Sequence, residues 1–209
     1  MRDALGKVVI GREIIALEET TSTNDSLLQR VTPSLSEGLV IFAEYQAAGR
    51  GQRGKKWEST TGRGLWLSIL LRPKIDIQES ARLSEWAAKT VALTIGDEFD
   101  LKASVKLPND VYIATRKVAG VLVEMRTQDT APHFAILGIG VNVNHQATDF
   151  PEELRERAAS LAMFLDRQLD RQSLAIALLR NLDRSYTTIL GEDPHLNPLP
   201  EGEADAKRR

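Results

Sequence analysis

A glycine- and arginine-rich segment between two apolar runs constrains the fold of this chain more than any other feature. Residues 49–56 read Gly-Arg-Gly-Gln-Arg-Gly-Lys-Lys, and Trp57 follows them. The flanking apolar runs, 38–45 and 65–71, each have the length of a β-strand. Because residues 58–64 are rich in turn-forming residues, the segment is predicted to be a loop between two strands.

This context argues against two phosphate-binding motifs that the loop matches by pattern. Residues 49–54 match G-x-G-x-x-G, but the dinucleotide fingerprint requires a helix directly after the glycines. Residues 49–55 match G-x-x-x-x-G-K, but Lys56 stands where that motif needs a magnesium-binding Ser or Thr. The loop still suits a nucleotide, because glycines let backbone amides approach a phosphate and Trp57 offers a flat face to a base. A solvated basic turn is the alternative interpretation.

The composition of the 209 residues fits a single globular domain. The formal net charge is −2, so no global field attracts nucleic acid or an anionic membrane. The chain has no cysteine, which excludes disulfides, thiolate catalysis and thiolate metal sites. No apolar run approaches the roughly 20 residues that span a bilayer, and residues 1–7 do not resemble a signal peptide. We therefore expect a cytoplasmic protein with neither DNA nor a membrane as its partner.

The hydrophobic pattern predicts an α+β fold in which helices pack on one face of a mixed β-sheet. Besides the two strands that flank the loop, strands are predicted at 13–19, 104–107, 111–114, 118–125 and 133–144, the last two as a hairpin. Helices are predicted at 25–31, at 77–99 and, in one or two pieces, at 160–190. Residues 191–209 are rich in proline, glycine and charge and are predicted to be disordered.

Two further polar motifs have both a structural and a functional interpretation. Residues 20–24 carry hydroxyls and an amide that suit a helix cap, and also a neutral polar ligand such as a urea. Residues 106–110 form a turn made rigid by proline. Its Asp110 is either part of an Asx turn or a ligand for magnesium beside phosphates.

Two predicted strands also carry polar motifs. Residues 117–124 begin with a cation, and Gly120 leaves room for a ligand or for another backbone. Glu124 lies in an apolar run and needs a cationic partner, for which Lys106 is one candidate. Residues 138–144 end a strand with two asparagines, which either cap the strand or read the edge of an adenine.

These motifs occur together in one order, and the ordered set resembles the catalytic domain of biotin–protein ligases. The segments that carry the resemblance are Ser22 to Asn24, Glu44 to Trp57, Lys106 to Asp110, Lys117 to Glu124 and Gly138 to Asn142. The resemblance covers about residues 13–190, so residues 1–190 are expected to form the catalytic domain. It implies a fold related to class II aminoacyl-tRNA synthetases.

The resemblance implies ATP-dependent attachment of biotin to a lysine of a biotin carboxyl carrier domain, through biotinyl-5′-AMP and with Mg²⁺. One alternative is a non-catalytic protein that binds biotin or biotinyl-adenylate. Another is a ligase for lipoate or a different acyl acid. The polar set of Ser22, Thr23 and Gln46 favours the ureido ring of biotin, because the dithiolane ring of lipoate offers no such hydrogen bonds. The sequence leaves the oligomeric state open, a homodimer included.

The resemblance also implies roles for individual residues. Lys117 and Arg50 are the expected catalytic residues, since fixed cations stabilise the charge that develops between a carboxylate and a phosphate. The residues expected to bind biotin are Ser22, Thr23, Asn24, Gln46, Gly49, Arg50 and Gly120. Those expected to bind the nucleotide are Gly51, Gln52, Arg53, Gly54, Trp57, Asn109 and Asn142. Asp110 is the expected ligand of Mg²⁺.

The chain departs from the family pattern in three respects. Gln52 stands where many relatives have a second arginine, which implies weaker retention of the adenylate. Leu107 replaces a tryptophan, which is interpreted as a change in packing. Relatives continue into a small C-terminal β domain that residues 191–209 do not match, and repressor-type members begin with a DNA-binding helix-turn-helix domain. We expect a monofunctional ligase that does not repress transcription.

Overall fold

The computed structural model describes residues 1–128 and 131–189 and contains a mixed seven-stranded sheet in the order β1-β2-β3-β7-β6-β5-β4. The strands are β1 (Glu13–Thr20), β2 (Leu39–Gln46), β3 (Gly64–Leu71), β4 (Ala103–Lys106), β5 (Asp110–Ile113), β6 (Arg116–Gln128) and β7 (Ala131–Asn142). β1 and β2 are parallel, and every other neighbouring pair is antiparallel. The predicted mixed sheet is confirmed.

Helices pack on both faces of this sheet, with most of the core on one side. The prediction of helices on one face alone was wrong, because α2 covers part of the other face. The helices are α1 (Arg2–Leu5), α2 (Thr23–Leu28), α3 (Ser80–Phe99), α4 (Leu161–Leu165) and α5 (Arg171–Ile189). The long helices α3 and α5 bury their apolar stripes in the main cluster, together with residues of β3, β6 and β7. A smaller cluster places Leu27 of α2 beside residues of β2, β3 and β7. The sheet therefore has one well-filled apolar face and one face that α2 covers in part.

The central strand β3 shows why the second face can hold a polar site. All eight of its residues are buried, as its unbroken apolar run predicted. Successive side chains point to opposite faces, so Leu65, Leu67 and Ile69 enter the main cluster. The alternate residues Trp66 and Ser68 face the side of α2, where Ser68 meets side chains at the start of that helix.

Several element boundaries differ from the sequence prediction. The first predicted helix begins at Thr23 rather than at residue 25, because Ser22 already takes the extended conformation of an N-cap. The predicted helix over 77–99 begins as a 3₁₀ turn, Ile77–Glu79, that continues into α3. The predicted helical region 160–190 forms two pieces, α4 and α5. The β6–β7 hairpin is longer than predicted, since pairing extends to Gln128 and Ala131.

The predicted disordered tail, residues 191–209, lies outside the described residues. Within the described part of the chain, no helix has the length and apolar character that crossing a bilayer requires.

His145 follows β7 and is a core histidine. It is 2% exposed, its ring stacks on Phe150 at 5.0 Å, and Trp66 contacts it edge-on. Burial lowers the pKa of His145 to about 4, because desolvation disfavours the imidazolium and outweighs the attraction of Asp149.

We expect the free energy of unfolding to fall as the pH drops from about 6.5 to about 4. In that window the unfolded chain binds a proton at His145 that the folded chain does not, so stability present above about pH 6.5 is lost on acidification. The loss from this residue is at most about 3 kcal/mol. Urea unfolding of the parent protein and of His145→Gln across this range measures it. Equal pH slopes for the two proteins would contradict the prediction.

Candidate functional site

A cleft opens between α2, the glycine loop (residues 49–57) and the strands β6 and β7. The space between these walls is about 450 Å³, its open mouth included. The predicted site residues that line it are Ser22, Thr23, Asn24, Gln46, Arg50, Gly51, Gln52, Trp57, Asn109, Lys117 and Gly120. The predicted residues outside its lining are Gly49, Arg53, Gly54, Asp110 and Asn142.

The floor of the cleft is made of glycines that strand register brings together. Gly120 of β6 is paired with Gly140 of β7, and Gly140 is paired in turn with Trp66 of β3. The indole of Trp57 lies on this floor: a Cβ atom on Gly120 would meet it at 2.8 Å, and one on Gly140 at 2.6 Å. Only glycine at both positions leaves room for the ring in this place.

One end of the cleft is polar and carries no net charge. Gln46 Oε1 accepts hydrogen bonds from Thr23 N at 2.9 Å and Thr23 Oγ1 at 3.2 Å, and Gln46 Nε2 donates to Ser59 Oγ. Ser68 Oγ lies 2.7 Å from Thr23 Oγ1, which therefore has a fixed orientation. The hydroxyl of Ser22 makes no cap hydrogen bond to α2, although the residue is 3% exposed. This end presents ordered hydroxyl and amide groups to a neutral polar ligand.

The other end of the cleft carries the cation of Lys117. Its Nζ lies 2.6 Å from Asp110 Oδ1 and 5.2 Å from the centre of the Trp57 ring. The backbone of Lys117 is held by the segment after β7, because its N–H donates to Arg157 O and its carbonyl accepts from Ala159 N. A cation fixed at its backbone and beside an aromatic face suits an anionic group with a ring attached.

Asp110, the predicted magnesium ligand, forms an ion pair with Lys117 in this structure. The described residues contain no cluster of three or more His, Asp or Glu that could hold a metal ion. One carboxylate fits Mg²⁺ only where water and phosphate oxygens complete the shell, as is usual for this ion beside nucleotides.

The glycine loop closes on itself like a small hairpin. Gly51 N donates to Lys55 O at 2.7 Å, and Trp57 N donates to Gly49 O at 2.9 Å. The backbones of Arg50 and Lys56 are paired as in an antiparallel β-bridge. A Cβ atom on Gly49 would lie 2.6 Å from the carbonyl oxygen of Trp57, so the base of the hairpin requires glycine there. This arrangement carries Trp57 onto the glycine floor.

Glu124 has the cationic partner that its place in an apolar run predicted, but this partner is Arg50 and not the candidate Lys106. The carboxylate contacts Asn24 Nδ2 at 2.7 Å, Arg50 at 3.1 Å and Arg126 at 3.4 Å, whereas Lys106 lies over the ring of Tyr112. The alternation of β6 places Glu124 on the face of Gly120, beside the loop, and this orientation decides its partners.

The two predicted asparagines both donate to backbone groups. Asn109 Nδ2 donates to Val121 O at 2.9 Å, and Asn142 Nδ2 donates to Ala159 O at 3.1 Å. Asn109 still lines the cleft, whereas Asn142 is 5% exposed and outside the lining. Arg53 and Gly54 form the tip of the loop, where both have positive φ. Leu107 is 62% exposed, so its side chain packs little against the rest of the fold.

A comparison with protein families decides the assignment. Residues 16–142 match the model of the biotin/lipoate A/B protein ligase family. The chain belongs to this family. Its expected resemblance to biotin–protein ligases is thereby confirmed at the level of the family.

Relatives with known names agree with this assignment. The chain is 33% identical over 186 residues to the bifunctional ligase/repressor BirA of Bacillus subtilis, an alignment that covers 89% of this chain but only 57% of BirA. It is 32% identical to a biotin--[acetyl-CoA-carboxylase] ligase of Mycobacterium tuberculosis, with 88% of this chain and 68% of the relative covered. The chain thus spans little more than half the length of the first of these relatives.

A solved structure confirms the fold of this family member. The biotin protein ligase from Aquifex aeolicus, in complex with biotin and ATP, superposes with a TM-score of 0.73 at 32% identity. The superposition covers 85% of this chain and 72% of the other. The fold that the resemblance to biotin–protein ligases implied is therefore confirmed.

Three residues that the sequence analysis did not assign to the site belong to it by position. Gly138 and Gly140 line the cleft, and Ser68 orients Thr23. Gly138 makes room for a neighbouring side chain, since a Cβ atom there would meet Asn24 Oδ1. The sequence contained a signal for each of them. Gly138 and Gly140 are two positions apart on a strand and so share a face, and Ser68 lies within an apolar strand, where it needs a polar partner.

Proposed function

We propose that this chain joins biotin to ATP to form biotinyl-5′-AMP and passes biotin to a lysine of a biotin carboxyl carrier domain. The observation that carries the proposal is that one cleft joins a neutral polar end, at Thr23 and Gln46, to a fixed cation, Lys117. Biotin has a ureido ring at one end and a carboxylate at the other, so its two ends match the two ends of the cleft. The Aquifex relative binds biotin and ATP, which supports the same pair of ligands here.

The polar end favours biotin over lipoate, although the family includes ligases for both. Ser22, Thr23 and Gln46 are all at most 9% exposed, and the hydroxyl of Ser22 is not used to cap α2. A ureido group supplies one acceptor and two donors to such residues. The dithiolane ring of lipoate would offer the Ser22 hydroxyl no hydrogen-bond partner.

The proposed first step forms a bond between a carboxylate oxygen of biotin and the α-phosphorus of ATP, while the bond to pyrophosphate breaks. Two anions must approach, and the ammonium of Lys117 lies at the cationic end where it would offset their repulsion. On binding of the ligands, the ammonium of Lys117 would leave Asp110 and contact ligand oxygens instead. Asp110 is the residue that would hold Mg²⁺, which supplies further positive charge beside the phosphates.

In the proposed second step, the amine of a carrier lysine attacks the acyl carbon and AMP leaves. The chain needs no nucleophile of its own, which agrees with the absence of cysteine. The glycine loop would shield the mixed anhydride from water, since Trp57 and Gln52 line the cleft from the side of the loop. A neutral Gln52 supplies no charge to hold the adenylate, and we expect faster loss of the adenylate than with arginine there.

The intact mass of a purified carrier domain tests this proposal. The protein is incubated with the carrier, biotin and Mg-ATP, in parallel with reactions that lack ATP or contain lipoate instead of biotin. A gain of one biotin that requires ATP supports the proposal. A gain from lipoate identifies a different acyl ligase, and tight biotin binding without a gain identifies a binding protein.

A further inference from the structure

The guanidinium of Arg50 lies between two carboxylates from different parts of the fold. Its Nη1 lies 2.5 Å from both oxygens of Asp25 in α2, and its Nη2 lies 3.1 Å from Glu124 Oε2 in β6. These contacts raise the pKa of Arg50, chiefly through the hydrogen bond to Asp25. The positive charge that the sequence assigned to catalysis is therefore already matched by the protein itself.

Glu124 connects this contact to the wall of the cleft. The oxygen that accepts from Arg50 also accepts from Asn24 Nδ2 at 2.7 Å. The Glu124 side chain is 21% exposed, so the pair is screened less than a pair on the open surface. Arg50, Asn24 and Glu124 thus link the glycine loop, α2 and β6 through one carboxylate.

Arg50 lies at the junction between the glycine loop and the rest of the fold. It stands at the base of the hairpin, opposite Lys56, and the hydrogen bonds of Gly49 and Gly51 join the two arms. These bonds join the loop to its base, and Trp57 at the end of the second arm lies over the cleft floor. An anchor on Arg50 therefore fixes the whole hairpin.

We propose that Asp25 and Glu124 are positioning residues that hold the glycine loop over the cleft through Arg50. The anchor is a property of the ligand-free chain. Its consequence for catalysis rests on the proposed function: a loop that opens more often releases the ligand faster, so KM for biotin rises more than kcat falls. The sequence-based alternative is that Arg50 contacts the ligand directly. Neutral residues at 25 and 124 would then free Arg50 and strengthen binding of the anionic ligand.

Trypsin cleavage of the ligand-free protein tests the anchor without any ligase assay. The loop contains the trypsin sites Arg50, Arg53, Lys55 and Lys56, and cleavage there is followed by intact mass. Glu124→Gln and Asp25→Asn each remove one charge from the anchor. We expect each to accelerate loop cleavage about threefold to fivefold, the effect of losing one partly exposed ion pair.

Glu85→Gln is the matched control, because Glu85 forms an ion pair with Lys89 on α3, away from the loop. Its loop cleavage is expected to equal that of the parent. Asp25→Asn removes a partly exposed carboxylate and guards against loss of the fold in Glu124→Gln, which also replaces the charged acceptor of Asn24 Nδ2 by a neutral one. Circular dichroism confirms that each variant is folded.

Unchanged cleavage in folded Asp25→Asn would overturn the proposal, whether or not the protein ligates biotin. Tighter binding of ATP in both variants, with unchanged cleavage, would also overturn it and assign Arg50 to the ligand. Faster cleavage in both variants supports the anchor even if no carrier is modified. In that case only the proposed ligase function is contradicted. Faster cleavage together with a KM for biotin that rises more than kcat falls supports both.

Discussion

Replacing Lys117 with alanine is expected to slow adenylate formation about 100-fold or more while leaving the fold intact. The ammonium is the cation at one end of the cleft, 5.2 Å from the centre of the Trp57 ring. In the proposed reaction a carboxylate and a phosphate would meet beside it. The measurement is single-turnover formation of biotinyl-5′-AMP from biotin and Mg-ATP, followed by mass spectrometry. Lys89→Ala, which removes a lysine on α3, is the control and should form adenylate at the parental rate.

The loss of Lys117 also leaves Asp110 without its ion-pair partner. An unpaired carboxylate would repel phosphates, so part of the effect could arise from Asp110 rather than from the missing cation. The double variant Lys117→Ala/Asp110→Ala separates the two causes. If the cation matters, the double variant stays slow. Recovery of the double variant would assign the effect to Asp110, and parental rates in Lys117→Ala would remove Lys117 from the mechanism.

The fold was predictable to the extent that it depends on local pattern. The unbroken apolar run of β3 indicates a strand buried on both faces, and the turn-rich residues after Trp57 exclude a helix at that point. Boundaries were less predictable, because Ser22 and Thr23 are both competent to cap α2.

The site was predictable as a set of motifs but not as a set of contacts. The motifs at 22–24 and 117–124 both contribute lining residues to one cleft, although nearly 100 positions separate them. The partner of Glu124 could not be inferred, because Arg50 and Lys106 are equally plausible cations until the register of β6 and the path of the loop are known. Side-chain direction on a strand and pairing across the sheet are tertiary properties, and one sequence supplies no measure of them.

The same reasoning explains why one half of the glycine floor, Gly140, was missed, although Gly120 was predicted. Gly140 appeared in the sequence only as part of a strand that ends in asparagine. The need for glycine at this position comes from Trp57, which lies in a loop more than 80 positions away along the chain. Each residue is ordinary by itself, and the restriction to glycine arises from the contact between them.

Replacing Gly140 with alanine is expected to weaken nucleotide binding about tenfold or more, because the new methyl group displaces the indole of Trp57. The Cβ atom would lie 2.6 Å from Cε2, 2.7 Å from Cζ2 and 2.9 Å from Nε1 of that ring. Gly140 does not have positive φ, so its backbone accepts alanine and the effect arises from the ring contact alone. The affinity for ATP is measured by calorimetry. In Gly96→Ala, the control, the new atom meets nothing closer than 3.7 Å, and affinity should not change.

A double-mutant cycle with Trp57→Ala identifies the cause of that loss. If the clash with the indole is responsible, Gly140→Ala should cost little once the ring is absent, and the two substitutions should not be additive. Additive losses would show that Gly140 acts on the nucleotide by another route. Unchanged affinity in Gly140→Ala would show that the place of the indole on the glycine floor does not matter for the nucleotide. Non-additive losses would instead establish that the glycines of β6 and β7 serve the cleft by giving Trp57 its position.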